Sequence, residues 1–278
     1  MEYDKYIQGL NDIFTKHEFG IQATKDDFNF LERVVIDSIK GGRISKQLTN
    51  QICPPIHDSE FYHYTNKVSG ESILTTSRLR LYSVEKRIQE DEIRAFLEKF
   101  DYKYPLGIDE ASQRPRYVQS IADGFYYTSM TDTDLTPNEE HNFWTVFAKG
   151  NGFRFRFRLT VQSGCLRRIT YGNGIDKWAD FFKEVQDWTK NSLNKEFFWE
   201  DASSICGLYL PHKYSYERET RLVIKRAWGL DEHSDGNHKY VELKFGYNQS
   251  VVTDLQLIEV QTDNQIQAPD GVHKIKRN

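Results

Sequence analysis

Two segments far apart in the chain carry side chains that could bind a nucleotide and act on it. Residues 61–65 read FYHYT, and residues 214–221 read YSYERETR. Both have the aromatic and β-branched bias of strands, yet both hold polar groups that a plain core strand does not need. Histidine offers a hydrogen-bonding edge, an aromatic ring a stacking face, and glutamate an acceptor for ribose hydroxyls. Together the segments predict a nucleotide site, whereas each alone is also typical of a half-buried strand.

The second segment brings two carboxylates close together. If residues 217–221 form a strand, Glu217, Glu219 and Arg221 project to one face, because side chains alternate at a period of two. Two neighbouring carboxylates repel each other unless water, a cation or a chemical role accommodates them. Arg221 supplies a cation on the same face, so a structural ion pair is the alternative to a catalytic role.

A basic face is predicted in the middle of the chain. Residues 153–159 read FRFRFRL, which alternates as a strand with aromatic rings on one face and arginines on the other. That second face holds Arg154, Arg156 and Arg158 and no acidic residue of the same strand. A groove for phosphates or RNA is one interpretation, and the solvated face of an antiparallel sheet is the commoner one.

Composition excludes several classes of protein. The 278 residues carry a net charge of −4, so any binding to nucleic acid must use a local patch. No stretch approaches the roughly 20 apolar residues of a membrane helix, and the first residues lack the pattern of a signal peptide. The cysteines are Cys53, Cys165 and Cys206, with no C-x-x-C pair. We therefore expect a cytoplasmic protein with no metal site and no membrane association. Phosphate-loop, Rossmann, G-x-S-x-G and H-E-x-x-H motifs are also missing from the sequence.

Hydrophobic spacing predicts the elements that must position these residues. Residues 1–50 are predicted to be helical, with a second helix ending at the glycine pair 41–42, and the prolines at 54 and 55 predict a hinge. The two predicted helices rest on Tyr3, Ile7, Leu10 and Phe14, and on Phe28, Leu31, Val35 and Ile39. Further helices are predicted at 68–76, 88–100 and 178–199, and strands at 79–82, 124–130, 153–159, 220–224, 239–245 and 251–260. Period-two strands with short glycine turns, and no alternating βαβ units, predict an α+β fold with antiparallel sheets.

The order of the motifs resembles a large bacterial family of unknown function. The resemblance lies in FYHYT, then FYYTS, then FW followed by a glycine turn and GFRFRF, then YSYERETRLV, over about residues 60–260. That family is similar to the branch of the ADP-ribosyltransferase superfamily that has histidine, an aromatic residue and glutamate on three successive core strands. The chain departs from the family at residues 89–92, which read QEDE in place of an Asn-Asp-x-x-Glu segment.

The resemblance implies a fold and a cofactor site. The fold is a split β-sandwich of mostly antiparallel strands with flanking helices, as in ADP-ribosyltransferases. The resemblance implies a transferase-like domain at 59–262, the apolar spacing predicts a helical segment at 1–58, and the composition predicts a polar tail at 263–278. The substrate is NAD⁺: His63 binds a ribose hydroxyl, the Tyr64 backbone meets the carboxamide, and Tyr127, or its competitor Tyr126, stacks on nicotinamide. Thr65, Trp144 and Arg80 complete the predicted site.

The resemblance also implies the catalytic roles and the acceptor. Glu219 holds the nicotinamide ribose and Glu217 removes a proton from the nucleophile; a carboxylate beside the sugar stabilises the positive charge of bond breaking. The implied acceptor is nucleic acid, RNA before DNA or protein, bound by Arg154, Arg156 and Arg158. The expected role is a bacterial toxin or phage-defence effector, with an antitoxin protein as partner. The alternatives are an NAD⁺ glycohydrolase on the same fold and a non-catalytic nucleotide-binding module.

Overall fold

The computed structural model describes residues 2–84, 124–162, 164–172, 176–225, 230–246 and 252–262. They form an α+β protein in which antiparallel strand pairs predominate, which confirms the expected fold class. No helix among these residues is both long enough and apolar enough to cross a membrane. The predicted helix at 88–100, the 89–92 segment and the tail at 263–278 lie outside the described residues.

The helices follow the predicted positions in most of the chain. Lys67–Thr76 forms the helix predicted at 68–76, and the helix predicted at 178–199 ends at Leu193, before a short strand. The α-helices are α1 (Glu2–Lys16), α2 (Arg43–Ile52), α3 (Lys67–Thr76), α4 (Pro137–Val146), α5 (Asp176–Leu193) and α6 (Ala202–Gly207). Short 3₁₀ helices cover Lys25–Asp27, Ile39–Gly41 and His212–Glu217.

The strands confirm most of the period-two predictions. The short strands are β1 (Asn29–Phe30), β2 (Val34–Ile36), β3 (Pro55–Ile56), β8 (Leu166–Arg168), β9 (Thr170–Tyr171), β10 (Glu196–Phe198), β11 (Tyr209–Leu210) and β13 (His233–Ser234). The longer ones are β4 (Asp58–Thr65), β5 (Arg78–Ser83), β6 (Phe125–Asp132), β7 (Phe153–Val161), β12 (Glu219–Lys225), β14 (Lys239–Lys244) and β15 (Val252–Thr262).

The predicted second helix, built on Phe28, Leu31, Val35 and Ile39, is wrong. This stretch forms two short strands, β1 and β2, between 3₁₀ turns. Leu31 is 49% exposed and Ile39 is 37% exposed, so the spacing did not mark one buried helical face. The β-branched run at 34–36 favours extended backbone, and β2 pairs with β1 and, in parallel, with β10. Gly42 adopts a positive φ of 68°, where it ends the 3₁₀ helix Ile39–Gly41 and immediately precedes α2.

The chain divides into two compact units, each built from three separate pieces of sequence. The first lies within Met1–Pro54, Val84–Phe125 and Thr170–Tyr214, and the second within Pro55–Ser83, Tyr126–Ile169 and Ser215–Asn278. The sequence interpretation drew contiguous boundaries at 58 and 262, with one transferase-like domain between them. In the structure, α5 therefore belongs to the same unit as α1.

The first unit packs α1 and α5 together around an aromatic core. Phe14 and Phe181 have ring centroids 5.7 Å apart, and Phe181 also contacts Phe19 and Trp199. The Tyr6 hydroxyl and the Thr189 hydroxyl are 2.8 Å apart, which joins the two helices through a buried hydrogen bond. Burying the Tyr6 hydroxyl raises its pKa well above the ordinary value.

The second unit is organised by a sheet that includes ten of the described strands. Its main path runs β13-β14-β5-β6-β12-β8-β3, while β4 pairs with β6 and β7, and β7 pairs with β15. The alternation of β7 is confirmed: Phe153, Phe155, Phe157 and Leu159 are fully buried. Each such ring contributes about 2 kcal/mol by leaving water. The core also takes in Tyr126, Leu222 and Ile224 from β6 and β12.

Candidate functional site

Strand β6 changes its neighbour at the middle of its length. Its first half pairs with β5 through Tyr126 and Tyr127, and its second half pairs with β4 through Thr131 and Asp132. Within the described residues, neither β4 nor β5 pairs with residues 128–130. The edge of β6 is therefore shared between β5 and β4, and His63 of β4 reaches Ser129 of β6 at the place where the neighbour changes.

His63, on β4, lies where the pairing of β4 with β6 ends. Its Nδ1 atom is 2.9 Å from the carbonyl oxygen of Ser129 on β6. A carbonyl only accepts, so Nδ1 carries the proton and donates it. Burial lowers the pKa of His63 below its ordinary value, although the Ser129 bond opposes this shift. The ring is therefore neutral near pH 7, and its Nε2 is an acceptor without a protein partner among the described residues.

Glu219, the first residue of β12, has its carboxylate bonded to Ser129 and Arg221. The hydroxyl of Ser129 donates to Oε1, which also accepts from Nε of Arg221 at 2.7 Å. Nη2 of Arg221 is 3.3 Å from Oε2, a weaker contact. Glu219 is 5% exposed and Arg221 1% exposed, so this is a buried ion pair. The geometry therefore fits the structural ion pair between Arg221 and Glu219 that the sequence offers as the alternative to a catalytic role.

Tyr127 shares the face of the sheet that carries Glu219, and Tyr126 does not. The guanidinium carbon of Arg221 lies 4.1 Å from the centroid of the Tyr127 ring, over one of its faces. A cation in that position is attracted by the ring quadrupole. Tyr126 points the other way, into the hydrophobic core, and its hydroxyl donates to Glu232. Of the two aromatic candidates, only Tyr127 is placed beside Arg221 and Glu219.

Glu217 does not lie on the strand, and the prediction that it shares a face with Glu219 through strand alternation is wrong. It is the last residue of the 3₁₀ helix His212–Glu217. Arg218 follows with a positive φ of 44°, and the strand begins only at Glu219. The backbone turn at Arg218 breaks the period of two, so the alternation of a regular strand does not apply across it.

Tyr64 lies on the opposite face of β4 from His63, where it packs with Trp144, whereas Thr65 shares the face of His63 because it lies two residues further along the strand. Tyr64 stacks on Phe143 with centroids 5.2 Å apart and meets Trp144 edge-on at 5.6 Å. These rings belong to a separate aromatic cluster under α4. Thr65 ends β4 opposite Phe153. Burial raises the pKa of the Tyr64 hydroxyl to about 12, so that group stays protonated.

Arg80 lies on β5, two residues before Tyr82, which pairs directly with Tyr127. Residues two apart on a strand share a face, so Arg80 and Tyr127 belong to the same side of the sheet. Nε of Arg80 donates to Glu242 at 3.1 Å, and the guanidinium lies 4.5 Å from the Tyr240 ring. The cation is thus held by Glu242 and Tyr240 of β14.

Carboxylates from other elements surround the arginine face of β7. Arg156 pairs with Glu60 at 2.6 Å, and Arg158 contacts the same carboxylate. Arg154 contacts Glu140 on α4 and Glu259 on β15, and Arg156 lies 3.8 Å from Glu259. Three arginines face three glutamates, so these six groups carry no net charge. The strand lacks acids of its own, as the sequence shows, but its neighbours supply them.

Ser129 was missed in the sequence, although it links the site. Its carbonyl accepts from His63 and its hydroxyl donates to Glu219, so one residue holds side chains from β4 and β12. The serine is visible in the FYYTS motif, two residues after Tyr127 and therefore on the same strand face. The spacing of two residues from Tyr127 is the sequence signal that could have identified Ser129 as part of the site.

Comparison of the chain with protein-family models, with curated proteins and with solved structures found no match. Across the described ranges, no group of three or more histidine, cysteine, aspartate and glutamate side chains could hold a metal ion. The site itself consists of a neutral histidine acceptor, a buried carboxylate and an aromatic ring on three neighbouring strands.

Proposed function

We propose that the protein is an NAD⁺-dependent ADP-ribosyltransferase. The observation that carries the proposal is that Ser129 of β6 bonds both His63 of β4 and Glu219 of β12, strands that lie side by side in the sheet. Tyr127 lies two residues before Ser129 on β6. The change of neighbour along β6 supports a split β-sandwich of the ADP-ribosyltransferase kind as the finer description of the fold.

Each residue has a role that its surroundings support. The Nε2 acceptor of neutral His63 suits a ribose hydroxyl, which donates to it. Tyr127 is the aromatic ring proposed for nicotinamide. A carboxylate has about four acceptor sites, so a ribose hydroxyl can replace the 3.3 Å contact between Nη2 of Arg221 and Oε2 of Glu219. Arg80, on the same sheet face, is the cation proposed for the diphosphate.

The reaction follows from the charge that bond breaking creates. When the bond between ribose and nicotinamide breaks, its electron pair leaves with nicotinamide and positive charge develops on the sugar. A carboxylate buried beside that sugar stabilises the charge far better than water does. The acceptor then bonds to the same carbon and loses a proton. Glu217 is the base proposed for that proton.

A nucleotide-binding module without catalysis is a second candidate, and one specific observation favours it. Glu219 and Arg221 form a buried pair in which each neutralises the other. A carboxylate held in this way has a structural role that needs no substrate. The two candidates differ in whether nicotinamide is released when NAD⁺ binds.

The deciding experiment measures NAD⁺ consumption by the purified protein, with and without total RNA, beside Glu219→Gln. The matched control is Glu71→Gln, which makes the same chemical change at an exposed carboxylate on α3. We expect nicotinamide release by the parent and the control, and a loss of about 100-fold or more in Glu219→Gln because one carboxylate carries the charge stabilisation. NAD⁺ binding without nicotinamide release in any variant leaves the binding module as the correct function.

The same assay identifies the acceptor, for which we propose RNA. This part of the proposal rests on the resemblance alone, because the paired arginines of β7 add no net positive charge. RNA that gains the mass of ADP-ribose supports it, and free ADP-ribose with unlabelled RNA indicates a glycohydrolase. The proposed role as a bacterial toxin, restrained by an antitoxin protein, predicts growth arrest on expression that Glu219→Gln abolishes.

A further inference from the structure

Arg218 stands between the two candidate carboxylates in a conformation that a non-glycine residue seldom adopts. Its φ is 44°, in the left-handed region. A side chain with a Cβ is strained there, and such strain persists only where the surroundings determine the conformation. The position is the junction at which the 3₁₀ helix His212–Glu217 becomes strand β12.

The side chain of Arg218 is held by acidic groups from the end of β6 and the loop after it. Nη2 donates to Asp134 at 2.7 Å and to Asp132 at 3.3 Å, and Nη1 lies 3.4 Å from the Asp134 carbonyl oxygen. Nη1 is also 3.8 Å from Glu139, in the first turn of α4. The guanidinium therefore ties the junction to three acidic residues of one neighbouring segment.

The backbone on both sides of Arg218 is held as well. The hydroxyl of Thr131 donates to the carbonyl oxygen of Glu217 at 3.2 Å. The amide of Ile169 donates to the carbonyl oxygen of Glu219 at 2.9 Å, and the amide of Arg218 itself donates to Ser215 at 3.3 Å. The chain is thus anchored before, at and after the turn. The Arg218 side chain adds its bonds to Asp132 and Asp134 at the turn itself.

We infer that Arg218 is the positioning residue for Glu219, and this inference rests on the proposed function. The left-handed turn sets the register in which β12 begins, so the Glu219 carboxylate faces Ser129 and Tyr127. In a regular strand a shift of one residue moves every side chain to the opposite face. Without its acidic anchors, the junction relaxes and Glu219 loses its fixed direction toward the ribose.

The test compares Arg218→Asn, Arg218→Lys and Arg168→Gln. Asparagine tolerates the left-handed conformation, so Arg218→Asn removes the anchors without adding backbone strain. Arg218→Lys restores a cation of similar reach. Arg168 contacts the same Asp132 at 2.8 and 3.1 Å but lies on β8, so Arg168→Gln controls for the loss of a partner of Asp132. Thermal melting of each variant establishes that it is folded.

Steady-state kinetics with NAD⁺ then separate positioning from stability. We expect kcat to fall about 10-fold in Arg218→Asn with KM for NAD⁺ within about twofold, because misplacing a catalytic group acts on the transition state. Arg218→Lys should recover part of kcat, and Arg168→Gln should match the parent. An equal loss in Arg168→Gln, or an unchanged kcat in Arg218→Asn, overturns the inference.

A second readout keeps the inference testable if the parent protein does not consume NAD⁺. The carboxyl ¹³C resonance of Glu219, assigned with Glu219→Gln, reports the surroundings of that carboxylate directly. We expect this resonance to shift in Arg218→Asn and to stay in place in Arg168→Gln. A resonance that does not move in Arg218→Asn shows that Arg218 leaves Glu219 undisturbed, whatever the protein does with NAD⁺.

Discussion

The most informative single residue is His63, because one hydrogen bond fixes which of its nitrogens carries the proton. Nδ1 donates to the Ser129 carbonyl, so the neutral ring presents Nε2 as an acceptor. A protonated ring would present a donor there instead, and a ribose hydroxyl would have to reverse its hydrogen bond. Burial, which lowers the pKa of His63, thus keeps the ring in the form that suits the proposed substrate.

The same burial makes the stability of the protein depend on His63 at mildly acidic pH. The unfolded chain takes up a proton at this residue as the pH falls through about 6.5, and the folded chain does so only at lower pH, so acid favours unfolding. We expect the free energy of unfolding to fall between about pH 7 and about pH 5 by more in the parent than in His63→Asn. Denaturant titrations of both proteins at a series of pH values measure the difference, and parallel curves would contradict the prediction.

At this scale the sequence identified the strands but not the partners of their side chains. His63, Tyr127 and Glu219 lie on β4, β6 and β12, in the strands that their motifs predicted, and their roles in a nucleotide site stay a prediction. Glu217 was wrongly predicted to lie on the strand. The sequence does not indicate the backbone turn at Arg218, because arginine seldom adopts a positive φ. The neighbours of the β7 arginines could not be seen either, because their carboxylates come from other strands and from α4.

At the scale of elements, the tight turn between α4 and β7 depends on two glycines, Gly150 and Gly152. A Cβ on Gly152 would lie 2.0 Å from the carbonyl oxygen of Thr65 and 2.7 Å from that of Ala148. Gly150, in the same turn, has a positive φ of 72° but open space around it. Gly152 is therefore required because backbone oxygens approach it closely, and Gly150 is required because its backbone has a positive φ.

These two glycines give a matched pair of substitutions. We expect Gly152→Ala to lower the free energy of unfolding by about 3 kcal/mol or more, because two backbone oxygens must move. Gly150→Ala should cost about 1 kcal/mol, the strain of a left-handed alanine. Urea denaturation of both variants checks the order. Equal losses would mean that the approach to Thr65 relaxes without cost.

Elements with strong local patterns were predicted correctly, and those set by distant pairing were not. The alternation in β7 and the aromatic run in β6 identify their strands from sequence alone. The region around β1 and β2 was predicted as a helix because its apolar spacing imitates one, whereas its pairing with β10 is a tertiary effect. The change of neighbour along β6 likewise depends on register between strands far apart in sequence.

At the scale of the whole molecule, both units are assembled from interleaved pieces of sequence. The composition of the sequence does not change where the chain passes from one unit to the other. Contiguous domain boundaries were therefore expected from the sequence. The second unit depends on its last strand, because β15 pairs with β7 along nearly its full length. Leu255 of β15 is fully buried in the core of this unit, and the next residue, Gln256, is exposed.

Neighbouring substitutions on β15 test this dependence. We expect Leu255→Asp to cost about 4 kcal/mol or more, since it buries an unpaired charge in the core and releases the edge of β7. Gln256→Asp should change stability by about 0.5 kcal/mol or less, because that side chain is in water. Melting curves and light scattering compare the variants. A soluble Leu255→Asp protein with parent-like melting would show that β15 is dispensable.

The pairing of β7 with β15 also has a consequence during synthesis. A ribosome adds about 5–20 residues each second, so β7 emerges seconds before the strand that covers it. For that interval a nascent chain displays a long strand edge with alternating phenylalanines, a form prone to intermolecular pairing. The arginines between those rings then act as gatekeepers that keep ribosome-bound chains apart. Cells making this protein quickly will depend on chaperones that shield that edge.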